Sequence, residues 1–191
     1  MQPDAHGLVW LDDLHVTYRD LAADPIAHLS GAIAAGFRPL PQPALDAALV
    51  AEHALSEQLL EEFLASDIVV IGAPMYNFSV PTQLKAWIDR IAQPGRTFRY
   101  TATGPEGLAG GKQLIVASSR GGMYTQGPMA SLDFQEAYLT ATFGFLDVRD
   151  VHFVRAENQS RGPEPAAAAL ISAHASIADV VRGVVHTHVE A

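Results

Sequence analysis

The 191-residue sequence contains no cysteine, which excludes disulfide bridges, cysteine-ligated metals and thiol catalysis and fits a reducing compartment. Positive charge is also scarce, because 12 lysine and arginine residues face 21 aspartate and glutamate residues and the net charge is −9. No basic stripe is formed, so nucleic acid is not an expected partner. Continuous apolar runs fall short of a membrane span, and the first residues carry no basic segment of the kind that opens a signal peptide. We therefore expect a cytoplasmic protein with a single domain over residues 1–191 and no membrane partner.

The sequence also lacks the patterns of several enzyme classes. Ser118 and Ser119 do not lie in the Gly-x-Ser-x-Gly turn of serine hydrolases. The eight histidines show no spacing that indicates a zinc site, so no metal is predicted. Neighbouring acids such as Glu61 and Glu62 are typical of a solvated helix face.

Apolar periodicity predicts an α/β domain with a parallel sheet, because strand patterns alternate with helix patterns along the chain. Strands are predicted over 15–21, 68–71, 113–117 and 148–154, and helices over 45–65, 84–91, 132–142 and 163–185. The segment 93–111 is rich in glycine and aromatic residues and predicts a long loop. Loops of that length in a compact domain are usually functional.

Two short segments follow strands that we expect to be neighbours. Met75, Tyr76, Asn77 and Phe78 follow the first buried strand, between Pro74 and Pro81. Ser119, Arg120, Gly121 and Gly122 follow the next one. Loops at the carboxyl ends of adjacent parallel strands form one crevice, where open α/β sheets bind planar ligands. The simpler interpretation is that the aromatic residues cap the core and the glycine pair only turns the chain.

Five motifs in order resemble those of the FMN-dependent NAD(P)H azoreductases, which are also quinone reductases. The motifs lie at residues 74–78, 81–85, 97–100, 104–108 and 119–122. The resemblance implies a flavodoxin-like, three-layer fold with a parallel sheet and helices on both faces. It also implies a homodimer that binds FMN noncovalently and transfers electrons from NADH or NADPH to azo compounds or quinones by a ping-pong mechanism. The absence of an acid/base dyad agrees with chemistry supplied by a flavin.

The resemblance also implies roles for individual residues. Met75, Tyr76, Asn77 and Phe78 would contact one side of the isoalloxazine ring. Ser119, Arg120, Gly121 and Gly122 would contact its pyrimidine end. The substrate pocket would be shaped by three aromatic residues, the last two from the partner subunit: Tyr100, Phe143 and Phe145.

The sequence departs from this family before Val16. The family begins with a central strand and a serine-rich phosphate loop, whereas only Leu8–Leu11 is strand-like here. Two interpretations stay open, namely an enzyme whose start is misassigned and a truncated, non-catalytic relative that keeps only the dimer surface. In the second case we expect FMN affinity to be lower by about a thousandfold, since several phosphate hydrogen bonds would be lost.

Overall fold

The computed structural model describes residues 14–38 and 46–189, with the side chains of residues 185–189 left out. In chain order the elements are α1 Gly31–Ala35, α2 Ala47–Ala65, β1 Ile68–Gly72, α3 Thr82–Ile91, β2 Phe98–Thr101, β3 Gly104–Gly107, β4 Gln113–Ser119, a 3₁₀ turn Ala130–Leu132, α4 Phe134–Phe145, β5 Asp150–Ala156 and α5 Pro163–Val189. Strands and helices alternate as the periodicity predicts.

The central sheet is parallel, with β4 between β1 and β5. Val116 lies level with Ile71 on one side and with Phe153 on the other. Leu114 and Val116 of β4 are completely buried, as expected for a β-branched and leucine-rich strand covered on both faces. All three strands end at the same edge of the sheet, which brings together the segments after Gly72, Ser119 and Ala156. Within the described part of the chain, the other edge of β1 pairs with no strand.

The predicted strand over residues 15–21 is wrong. The chain there forms no ladder, and its course is set by side chains instead. Arg19 binds Glu62 of α2 with Nη2 to Oε1 at 2.6 Å, and Asp20 accepts hydrogen bonds from the N–H groups of Ala22 and Ala23. Alternating apolar residues form a strand only beside a partner strand. Residues 8–11, the other strand-like segment, lie outside the described residues.

The segment 93–111 is not the structureless loop that its glycines predict. Most of it folds into an antiparallel hairpin, in which β2 pairs with β3 and Phe98 lies opposite Gly107. Ala109 N–H then donates to Leu146 O at 2.9 Å and fixes the end of the hairpin to the turn after α4. The hairpin therefore holds its exposed aromatic residue, Tyr100, in a defined place.

The core lies between the sheet and the helices and centres on three aromatic rings. Phe63 of α2, Trp87 of α3 and Phe143 of α4 pack with ring centroids 6.0 to 6.3 Å apart. Leu146 and Val148 are also buried, although they precede β5, which begins at Asp150 rather than at the predicted residue 148. Because these apolar side chains fill the core from a turn, the apolar pattern placed the start of the strand two residues too early.

Helix α5 is long and apolar enough to cross a bilayer, over Pro163–Val184 with a mean hydropathy of 1.3. The prediction that apolar runs are too short to span a membrane did not take account of this helix. Its Ala173 and Val184 are nevertheless buried in the domain, and a Cβ built on Gly183 would lie 3.8 Å from Cε1 of His152 in β5. Of this stretch 11% is buried within the described structure, and because α5 packs along β5 we describe it as part of the α/β domain.

Candidate functional site

Three loops meet at the carboxyl edge of the sheet, and we call them the first loop (73–79), the second loop (119–125) and the third loop (157–160). The first and second loops join where Met75 N–H donates to Ser119 O at 2.8 Å. The second and third loops join where Gln159 N–H donates to Arg120 O at 2.9 Å. The two segments singled out from the sequence are thus adjacent, as predicted.

The first loop contains a strained turn. Tyr76 and Ser79 exchange backbone hydrogen bonds of 2.9 and 3.0 Å, and the two residues between them, Asn77 and Phe78, have φ angles of 48° and 71°. Two positive φ angles define a type I′ turn, in which glycine or asparagine is the usual residue. An aromatic side chain in the left-handed region costs about 1 kcal/mol or more, and such strain is concentrated at functional sites. The turn is a candidate binding element for that reason.

The second loop presents N–H groups while its carbonyl groups are already bonded. Arg120 O, Gly121 O and Gly122 O accept from N–H groups of the third loop, at 2.9, 3.1 and 3.0 Å. Among the described residues, the N–H groups of Gly121, Gly122, Asn77 and Phe78 donate no hydrogen bond to another backbone group. The two adjoining loops therefore carry donors that suit the acceptor-rich edge of a flat heterocycle.

Gly121 is placed under the third loop, where there is little room for a side chain. A Cβ at this position would lie 2.9 Å from Oγ of Ser160. The close approach explains one of the two glycines in this loop, and it keeps the backbone of the second loop open toward the crevice.

The Arg120 side chain does not face the crevice. It is 1% exposed, and its guanidinium group donates to Ser118 Oγ at 2.9 Å, to Asp133 Oδ2 at 2.8 Å and to Glu136. Its backbone N–H and C=O are bonded to the third loop and its entrance. Every polar group of Arg120 thus has a protein partner, so the residue supports the second loop and presents no free group to a ring.

The carboxylate of Glu157 fastens the far end of the second loop. It accepts from Tyr124 N–H at 2.6 Å, from Thr125 N–H at 3.0 Å and from Thr125 Oγ at 2.7 Å. Burial alone would raise the pKa of this carboxyl, but these hydrogen bonds and the nearby Arg120 outweigh it, and the pKa of Glu157 is lowered. Sequence analysis overlooked Glu157, because its position after a strand gives no sign of the loop that it binds.

We expect Glu157→Gln to lower the free energy of unfolding at neutral pH, with the difference from the unmodified chain disappearing in acid. A carboxylate with a lowered folded-state pKa contributes stability that is fully present above its unfolded pKa of about 4.3. That contribution is lost as the pH falls through the folded-state pKa. Urea unfolding curves between about pH 7 and pH 3 measure the difference, and a gap that stayed constant over this range would contradict the assignment.

The aromatic residues predicted for a substrate pocket are placed differently from one another. Tyr100 is 76% exposed on the hairpin, and Phe98 packs against it and against Phe145, with centroids 5.6 and 4.7 Å apart. Phe145 is partly exposed, whereas Phe143 is fully buried in the core. Phe143 has no surface that a pocket could contact, since its ring is taken up by Phe63 and Trp87.

Other aromatic side chains lie closer to the crevice. Tyr76 is 59% exposed, and Phe78 contacts Tyr124 of the second loop edge to face, with centroids 6.2 Å apart. Sequence analysis did not single out Tyr124. The described residues contain no group of three or more histidine, aspartate or glutamate side chains that could hold a metal ion.

The family model described as a flavodoxin-like fold matches residues 8–181 of the chain. A curated relative from Xanthomonas euvesicatoria pv. vesicatoria (strain 85-10), FMN-dependent NADH:quinone oxidoreductase 2, is 89% identical over 192 aligned residues, which cover 98% of this chain and 88% of the relative. The FMN-dependent NADH:quinone oxidoreductase of Ralstonia nicotianae (strain ATCC BAA-1114 / GMI1000) is 64% identical over 166 residues, 87% of this chain and 80% of the relative.

Solved structures agree in fold. The crystal structure of azoreductase AzrA superposes with a TM-score of 0.78 at 27% identity, over 85% of this chain and 79% of that one. An FMN-dependent NADH-azoreductase from Bacillus anthracis str. Ames Ancestor, crystallised in complex with FMN, gives the same TM-score at 24% identity, over 87% of this chain and 79% of that one. The predicted flavodoxin-like fold is confirmed.

Proposed function

The chain belongs to the flavodoxin-like family of FMN-dependent NADH:quinone oxidoreductases, and from that premise we propose that it is an enzyme that transfers electrons from NADH to quinones with bound FMN. The observation that carries the proposal is that the first and second loops adjoin at the carboxyl edge of the sheet, where both carry N–H groups that make no backbone hydrogen bond and the first contains a strained aromatic turn. Adjoining loops that carry such donors at the carboxyl edge of a parallel sheet suit a planar cofactor.

The residues present suit the ring of FMN. Backbone N–H groups of Gly121 and Gly122 would donate to the acceptor atoms of the pyrimidine end, and the side-chain amide of Asn77 can both donate and accept. Tyr76 and Phe78 would cover the ring and exclude water from it. Bound FMN supplies hydride acceptance from the nicotinamide and electron delivery to the acceptor, so the protein groups need only position and shield the reactants.

We also propose that azo compounds are acceptors and that donor and acceptor occupy the same face in turn. One crevice flanked by Tyr76 and Phe78 offers a single aromatic surface for both planar substrates. Steady-state rates measured at several NADH and quinone concentrations should then give parallel double-reciprocal lines. Intersecting lines would count against a shared face.

A homodimer is part of the proposal, because Tyr100 on the hairpin is exposed and no described part of the same chain covers it. Phe145 continues the same apolar surface. Exposed aromatic patches of this kind mark interfaces. Light scattering of the folded protein should report twice the 20.4 kDa chain mass, and a monomer would remove the composite pocket from the proposal. The absence of cysteine supports a cytoplasmic location.

The decisive experiment is a titration of the purified chain with FMN, followed by flavin fluorescence, together with NADH oxidation by a quinone in the presence and absence of FMN. We expect saturable binding and activity that depends on FMN. Folded protein that binds FMN only weakly and lacks activity would favour the alternative, a non-catalytic relative that retains the dimer surface.

Asn77→Gly tests the contact at the first loop. Glycine accepts the positive φ angle of this position, so the variant should fold at least as stably as the unmodified chain, while FMN affinity falls about fivefold with the loss of one hydrogen bond of about 1 kcal/mol. The matched control is Asp147→Gly, since Asp147 also has a positive φ angle of 74° but lies in the turn between α4 and β5. Equal FMN affinities for the two variants would contradict a ring contact from Asn77.

A further inference from the structure

Arg120 is a cation buried directly beneath the candidate crevice. Its side chain is 0% exposed, and it lies among three carboxylates that are themselves largely buried, Asp133, Glu136 and Glu157. The guanidinium group is 2.8 Å from Asp133 Oδ2 and 3.5 Å from Glu157 Oε1, and it also binds Glu136. Glu136 is shared with a second cation, Arg155, whose Nε lies 2.6 Å from Oε1. A buried charge cluster of this size is costly unless each member is paired, so its members hold one another in place.

Two of the carboxylates that bind Arg120 also hold neighbouring backbone segments in place. Glu157 binds the N–H groups of Tyr124 and Thr125 and so fixes the end of the second loop. Asp133 accepts from Glu136 N–H at 3.0 Å and caps the start of α4. The guanidinium group is therefore linked to the second loop at both ends, through the backbone at residue 120 and through Glu157.

A second set of contacts reaches the first loop. Arg120 Nε donates to Ser118 Oγ at 2.9 Å, and Ser118 Oγ is 3.3 Å from Oε1 of Gln135. Gln135 Nε2 in turn donates to Ala73 O at 2.9 Å, at the start of the first loop. Ser118 and Gln135 are both buried. This chain of buried hydrogen bonds connects the guanidinium group with both sides of the crevice.

We propose that Arg120 is a positioning residue that sets the separation of the first and second loops, and that it acts on a bound flavin only through them. The choice of FMN as the ligand rests on the proposed function. The role of Arg120 in holding the two loops does not depend on it. Arginine is required because its planar fork reaches Ser118, Asp133 and Glu136 together, whereas lysine offers a single charged centre. The role differs from the ring contact that the family resemblance implies for this residue.

The test compares Arg120→Met with Arg90→Met. Arg90 is also 0% exposed and buried, but it lies on α3, where it binds Glu52, Ser56 Oγ at 2.6 Å and Ala27 O at 3.0 Å. Both variants lose a buried cation, so both should unfold at lower urea concentration. Only Arg120→Met should also weaken FMN binding by the folded protein, on the order of tenfold, as supporting residues that orient binding groups do. Arg120→Lys should retain part of the affinity and keeps the test available if Arg120→Met does not fold.

Amide hydrogen exchange supplies a measurement that does not depend on FMN. Exchange at Tyr124 and Thr125 should be faster in Arg120→Met and Arg120→Lys than in the unmodified chain, and unchanged in Arg90→Met. If the unmodified chain bound no FMN, the proposed function would fail while these exchange rates still decided the positioning role. Unchanged exchange in the Arg120 variants, or FMN binding as tight as that of the unmodified chain, would overturn the inference and leave Arg120 a stabilising residue alone.

Discussion

Phe143→Ala is expected to lower the free energy of unfolding by about 3–5 kcal/mol, because it removes a fully buried ring and leaves a cavity between α2, α3 and α4. The ring packs on Phe63 and Trp87, so neither neighbour can fill the space without leaving its own contacts. Urea denaturation followed by tryptophan fluorescence measures the loss, since Trp87 lines the cavity.

Phe145→Ala is the matched control for this variant. Phe145 lies two residues further along the same helix, but it is 37% exposed and packs on Phe98 from the surface. We expect it to cost well under half as much stability, since less apolar area leaves water. Equal losses for the two variants would contradict the assignment of Phe143 to the core and of Phe145 to the surface near Tyr100.

Gly107→Ala should destabilise the protein by about 3 kcal/mol, the upper range for overpacking. A Cβ at Gly107 would lie 2.4 Å from the backbone N of Asp147 and from the carbonyl carbon of Leu146, and backbone atoms cannot move aside as a flexible side chain can. The hairpin that carries Tyr100 would have to shift away from the turn after α4. Thermal and urea unfolding measure the effect.

Gly144→Ala provides the control with the opposite sign. Gly144 lies inside α4, and a Cβ there meets no atom within 4 Å. Alanine replaces glycine in a helix with a gain of up to about 1 kcal/mol. Gly107→Ala and Gly144→Ala should therefore move the free energy of unfolding in opposite directions. Destabilisation by both would mean that the space around Gly144 is smaller than the structure shows.

The strands β1 and β4 could be predicted because a parallel strand is typically a continuous run of apolar residues, as Ile68–Ile71 and Leu114–Val116 are. Burial on both faces holds for β4 but not for β1, where Val70 is 66% exposed in the described structure. The strand predicted over 15–21 is wrong because an alternating apolar and polar pattern forms a strand only where a partner strand lies beside it. The hairpin over Phe98–Gly107 was also missed. Pro105 and two glycines lie in β3, and these residues usually argue against a strand.

The two crevice loops were predictable because glycine, proline and asparagine mark where a backbone must turn. The supporting charges were not. Asp133, Glu136 and Glu157 come from α4 and from the end of β5, and nothing in their spacing shows that one arginine joins them. The resemblance implied a ring contact for Arg120 without showing that its side chain is bound to these carboxylates. Local sequence shows that a charge is present, but only the tertiary fold shows whether it faces a ligand or its own counter-ions.

The turn at Asn77 and Phe78 also bears on how this protein can change through evolution. Neutral drift under selection for folding alone would replace Phe78 with glycine or asparagine, because both adopt its φ angle of 71° at lower cost. A phenylalanine at this position is therefore expected to persist only under selection for function. Laboratory selection of random variants for thermal resistance, without any demand for activity, should accordingly recover changes at position 78 early.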